Sequence, residues 1–121
     1  MARVLGAYRH LSANGFCSWH PVRPPATILD KCEASRAHLL TDFGVEQFEL
    51  ARTWLRKYHR RQSINRRCSS YTWKHQAENE EGAYISNGAL IAAALSLGFN
   101  VQHILGTPNA YVGIGKRLTP T

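Results

Sequence analysis

Seven consecutive residues, Ala89-Leu90-Ile91-Ala92-Ala93-Ala94-Leu95, carry no polar side chain. A helix made of them has no face to give to water, so it belongs at the centre of a domain. Its small alanines allow neighbouring elements to approach closely. Ser86 or Asn87 can start such a helix at Gly88, and Gly98 stops it where a left-handed residue is wanted. A chain of 121 residues forms one domain around such an element, and can bury about two-thirds of its unfolded surface without a metal or disulfide staple.

The rest of the chain supplies the cover. A partial helical stripe of Ile28, Leu29, Cys32, Ser35, Arg36 and Leu39 predicts a first helix from about 27 to 40. A second, capped by Thr41 or Asp42, is expected to run to about Arg61, because Phe48, Ala51, Leu55 and Tyr58 share one face. Its carboxylates come early and its arginines late, as the helix dipole favours. Residues 62–67 read as a basic connector. A third helix follows over 71–80, with Ser69 or Ser70 as its cap and Gly82 near its end. Residues 99–105 and 110–114 alternate around Gly106-Thr107-Pro108-Asn109, which predicts a β-hairpin.

The expected architecture is a single α+β domain over 26–121: about four helices, one nearly fully buried, followed by a C-terminal β-hairpin. Winged-helix DNA-binding domains share that order, yet their recognition helix needs polar side chains to reach base edges. The apolar fourth helix lacks them. Residues 1–25, broken by Gly6, Asn14, Gly15, Pro21, Pro24 and Pro25, read as an irregular N-terminal arm. Its Tyr8, Leu11, Phe16 and Trp19 are apolar enough that part of it should dock onto the body.

Fifteen Lys and Arg against eight Asp and Glu give a net charge of +7, and the excess is local. Arg52, Arg56, Lys57, Arg60, Arg61, Arg66, Arg67 and Lys74 fall within one stretch that contains no carboxylate, and the remainder is nearly neutral. A concentrated cationic surface attracts polyanions. A solvated face that keeps the chain soluble is the plainer alternative. Trp54, Tyr58, Tyr71 and Trp73 are interleaved with these cations, a composition suited to single-stranded nucleic acid. Helical periodicity turns Trp54 and Tyr58 toward the core and leaves Trp73 as the aromatic available for stacking.

Other groups offer different chemistry. Cys17, His20, Cys32 and His38 form a loosely spaced Cys-x2-His and Cys-x5-His set, a weak zinc candidate. Cys68 lies among cations that would lower its pKa, but no positioned base points to a catalytic thiol. Tyr71, Lys74, His75 and Glu78 lie at i, i+3, i+4 and i+7 on one side of the third helix. They could hold a proton-transfer or anion site, or pair structurally through Lys74 or His75 to Glu78. Asn87-Gly88 and Asn109 suit a helix start and a turn. Phosphate loops, paired catalytic carboxylates and Ser-His-Asp arrangements are missing from the sequence, and no cofactor is expected. The N-terminus lacks the apolar core of a signal peptide, and no apolar run reaches bilayer length. A cytoplasmic chain with reduced thiols and no membrane partner is therefore expected.

The motifs Ile64-Asn65-x-x-x-Ser69-Ser70-Tyr71-x-x-Lys74-His75-x-Ala77-Glu78, Tyr84-Ile85-Ser86-Asn87-Gly88-x-x-Ile91-Ala92-Ala93-Ala94, Gly98-Phe99 and Pro108-Asn109-Ala110 resemble small uncharacterised bacterial proteins of plasmids and integron cassettes. The resemblance covers about residues 43–114. It implies a bacterial cytosol and mobile DNA, and it transfers no catalytic residue. It also draws Ser70, Tyr71, Lys74, His75, Glu78, Asn87 and Asn109 together as candidates for a shared polar site. The leading expectation is a small basic protein that binds nucleic acid through phosphates, using the cations of 52–74 and Trp73. The alternatives are a module offering its basic face to an acidic protein partner, and a small enzyme using the Tyr71, Lys74, His75 and Glu78 group.

Overall fold

A computed structural model describes residues 1–8, 11–17 and 26–118, with side chains described outside 26–32. Helix α1 spans Ala2–Ala7, and strands β1 (Leu11–Ser12) and β2 (Gly15–Phe16) pair as a small hairpin. Helices α2 (Ala26–Leu39) and α3 (Asp42–Leu55) follow, then strand β3 (Tyr58–Asn65). Helices α4 (Ser70–Glu81) and α5 (Asn87–Ser96) precede strands β4 (Val101–His103) and β5 (Ala110–Arg117). The second sheet has the order β3-β5-β4 and is antiparallel throughout. The chain is thus an α+β domain with the expected C-terminal strand pair.

Helix α5 is the centre. Every side chain from Ala89 to Ala94 is fully buried, and α1, α3, α4, both hairpins and the sheet pack around it. Burying Leu90 and Ile91 contributes about 1.5–3 kcal/mol each. Ser86 caps the helix by accepting from the Ala89 amide at 3.1 Å. Thr41 caps α3 in the same way, accepting from the Gly44 amide at 3.2 Å. At Gly88 the N-terminal hairpin comes so close that a Cβ would lie 1.6 Å from the Ser12 carbonyl oxygen, and the Gly88 amide donates to the Ala13 carbonyl at 2.9 Å. Only glycine fits there.

Two expectations change. In the N-terminal segment the described residues 1–8 and 11–17 carry a helix and a hairpin where an irregular arm was expected, and they dock on the body as expected: Val4, Leu5 and Leu11 join the core cluster, and Arg36 of α2 donates to the carbonyls of Leu5, Tyr8 and Leu11 at 2.8–2.9 Å. Helix α3 ends at Leu55, and the stretch read as its last turn and a connector is strand β3. Tyr58 still meets Trp54, with ring centroids 4.8 Å apart, but reaches it from the strand. The apolar spacing was satisfied by a different backbone.

Helices α3, α4 and α5 precede the β4-β5 pair, but strand β3 interrupts the order between α3 and α4. With α5 buried from Asn87 to Ala94, the helix in the recognition position exposes only Ser96 and part of Leu95 at its C-terminal end. No helix among the described residues is long and apolar enough to cross a membrane.

Candidate functional site

Among the described residues strand β3 lies at the edge of its sheet and pairs only with β5, and it carries Arg60 and Arg61 of the basic stretch outward. Its register pairs Arg60 with Ile114 and Asn65 with Val112, so five steps along β3 oppose two along β5. The surplus residues bulge. Asn100 holds the bulge by donating Nδ2 to the carbonyls of Arg61 and Gln62 at 3.0 and 2.7 Å. Asn65 Nδ2 donates to the Ile114 carbonyl at 2.8 Å. The bulge turns Arg61, Gln62 and Ser63 to solvent.

The eight cations divide by their surroundings. Arg52 pairs with Glu49 at 3.6 Å, Lys57 with Glu81 at 2.8 Å and Lys74 with Glu78 at 3.4 Å. Among the described residues, exposed Arg56, Arg60, Arg61, Arg66 and Arg67 have no carboxylate within ion-pair distance. Three of these are held by neutral groups. Arg60 Nη1 donates to the Leu97 carbonyl at 3.0 Å, and Arg61 Nη2 to Ser63 Oγ at 3.1 Å. Arg66 Nη2 donates to Gln102 Oε1 at 3.4 Å and lies 5.3 Å from the centre of the Tyr111 ring. Each guanidinium keeps most of its five donors for a ligand.

Trp73 and Lys74 are not part of this surface. Trp73 is 7% exposed and packs on Trp54 with centroids 6.2 Å apart. It offers no face to a base, because α4 turns it inward toward α3. Lys74 is 5% exposed and already neutralised by Glu78. The Cys68 thiol is pushed up rather than down, because its half-burial outweighs the attraction of Arg67.

Tyr71, Lys74, His75 and Glu78 do meet, and Tyr84 joins them. Glu78 Oε2 accepts from Lys74 Nζ at 3.4 Å and from the Ile85 amide at 3.2 Å, while Oε1 meets His75 Nδ1 at 2.8 Å. Lys74 Nζ lies 5.3 Å from the Tyr71 ring centre and 4.6 Å from that of Tyr84, and Tyr71 meets His75 edge-on. The group ties the loop after α4 back onto the helix.

Ser70, Asn87 and Asn109 take part in a different junction. Buried Ser70 Oγ accepts from the Ala110 amide at 3.0 Å. Asn87 Nδ2 donates to Asn109 Oδ1 at 3.0 Å and to the Asn14 carbonyl at 2.9 Å. Both hairpins are thereby fastened to the start of α5.

Cys17 stands in a disulfide, which departs from the expected reduced thiols and removes it as a thiolate ligand. His20 and the Cys32 side chain lie outside the described residues. Among those described, no group of three His, Cys, Asp or Glu could hold a metal ion.

At the far end of β3, Glu80 gathers Trp54 Nε1, Tyr58 Oη and Arg117 Nη1. The Trp54 hydrogen bond, above all, holds its carboxyl below the usual range, with help from Arg117 and against desolvation. Burial first, then Glu80, raises the Tyr58 hydroxyl. Tyr84, Glu80, Asn100 and Tyr111 carry no local sequence signal as site residues, since each meets its partners across a turn or between elements. No protein-family model, curated protein or solved structure matches the chain.

Proposed function

We propose that the protein binds nucleic acid, mainly through phosphates, on the bulged basic strand β3 and its flanks. One observation carries the reading: Arg56, Arg60, Arg61, Arg66 and Arg67 are exposed together, with no carboxylate partner among the described residues. Five cations without a carboxylate partner among the described residues, on one strand and its ends, repel one another, and a bound polyanion relieves that repulsion.

Engaging all five releases counterions in proportion. The log–log slope of affinity against salt is then about −4.5 on duplex DNA and about −3.5 on single strands. Anisotropy of labelled oligonucleotides at two salt concentrations measures it. Replacing Arg60, Arg61, Arg66 and Arg67 together by Ala is expected to leave the fold intact and reduce the slope to about −1. Salt-insensitive binding, or none at low salt, overturns the reading.

The same arginines could serve an acidic protein partner, which a nuclease-resistant pull-down would identify. The bulge and the arginines themselves discourage strand addition at this edge. We read the Tyr71, Lys74, His75 and Glu78 group as structural rather than catalytic, since both oxygens of Glu78 are engaged in holding it. A setting in bacterial mobile DNA, and with it the cytoplasm, belongs to this proposal and rests on the resemblance of residues 43–114 alone.

A further inference from the structure

A groove of about 230 Å³ opens beside the basic strand, lined by Leu55, Arg56, Tyr58, Arg60, Leu97 and Phe99. Leu55, fully buried, and Phe99, nearly so, underlie it, and its accessible apolar surface comes from their neighbours. Tyr58 and Leu97 are half-buried. Arg56 and Arg60 are the exposed cations among the lining residues, and neither meets a carboxylate among those described. The groove therefore combines apolar lining residues with two positive charges.

Arg60 is positioned rather than merely present. Its Nη1 donates to the Leu97 carbonyl at the end of α5. Gly98, at φ +82°, makes room for it: a Cβ there would lie 2.9 Å from Nη1. One guanidinium donor is spent on the carbonyl, and the others remain for an incoming anion. A guanidinium held this way loses less freedom on binding than a mobile one.

We propose that this groove takes one nucleobase of a single-stranded nucleic acid, while Arg56 and Arg60 hold the adjoining phosphate. The inference rests on the nucleic-acid reading above and narrows it to single strands. A base paired in a duplex is stacked and turned inward, and cannot enter a slot of this size without being extruded. A base in a single strand is free to lie against the Tyr58 and Leu97 side chains. The polyanion suggested by the arginines and the flat apolar ring suggested by the groove are the two halves of a nucleotide. Trp54 and Trp73, both buried, offer no face to a base.

The test is anisotropy with three labelled oligonucleotides of one length: a single strand, the same strand made abasic, and its duplex. The wild-type chain is expected to bind the single strand between about fivefold and about 150-fold more tightly than the abasic strand, the range that one seated base supplies. Filling the groove with Leu97→Trp should abolish that difference and leave duplex affinity and its salt slope unchanged. Equal affinity for the intact and abasic strands, or tighter binding to the duplex, overturns the groove and leaves the phosphate-binding strand standing. No binding to any of the three at low salt overturns both. The abasic comparison uses the wild-type protein and decides the matter even if Leu97→Trp fails to fold.

Discussion

Glu80 shows how one carboxylate can join three elements. It accepts from Trp54 of α3 and Tyr58 of β3, and pairs with Arg117 of β5 at 2.7 Å. Because its folded pKa is lowered, chiefly by the Trp54 hydrogen bond, the folded state binds its proton less readily than the unfolded state does. Its stabilisation is complete above the unfolded carboxylate range, about pH 4.3, and is lost as pH falls through the lower folded value. Denaturant midpoints measured from pH 7 to pH 3 should therefore fall more steeply for the wild type than for Glu80→Gln, which has no charge to lose. Parallel pH curves would show that Glu80 contributes nothing through its charge. Glu80→Ala removes the acceptor altogether and leaves the Trp54 indole N–H unpaired, at a cost of about 1–3 kcal/mol.

At the scale of elements, α5 and β3 make opposite demands. Helix α5 tolerates little added volume, since Ala89, Ala92, Ala93 and Ala94 are fully buried. Ala93→Leu should cost about 1–3 kcal/mol through overpacking, read as a lower denaturant midpoint; an unchanged midpoint would mean unfilled space beside the helix. Strand β3 depends on being held in its bulged path. Asn100→Ala removes both hydrogen bonds to the Arg61 and Gln62 carbonyls and should cost about 1 kcal/mol. Its signature is faster amide exchange confined to residues 61–64, with weaker oligonucleotide binding alongside. Exchange that rises over the whole domain would instead mark Asn100 as a general stabiliser.

For the whole molecule, the described residues of the N-terminal segment, 1–8 and 11–17, contribute side chains to the core. Val4, Leu5 and Leu11 are buried, and each contributes about 1.5–3 kcal/mol, against a total stability for such domains of about 5–15 kcal/mol. Deleting residues 1–17 should abolish cooperative thermal unfolding followed by circular dichroism. A truncated chain that melts like the full one would make the segment a dispensable appendage. The fastening residues say the same: Arg36 bonds three carbonyls of the segment, and Asn87 and Gly88 hold its hairpin.

The sequence alone determined the buried helix, a cap at Ser86 or Asn87, its stop before Gly98, the α+β class and the closing hairpin, and the structure selects Ser86 as the cap. Each follows from neighbours in the chain: an unbroken apolar run, a hydroxyl beside unpaired amides, a glycine where the backbone turns left-handed. The Tyr71, Lys74, His75 and Glu78 group was legible for the same reason, since helical spacing alone brings those four together. Only the tertiary structure decided that residues 58–65 form a strand, because their hydrogen-bond partners lie some fifty positions away in β5, where no local period can register them. It also decided which cations face water. Three of the eight meet carboxylates; the two whose partners lie within four residues were within reach of the sequence, while Lys57 meets Glu81 only through packing. Trp73 went inward for a related reason: a helix has a buried face wherever its neighbours lie, and the position of α3 is a property of the folded chain.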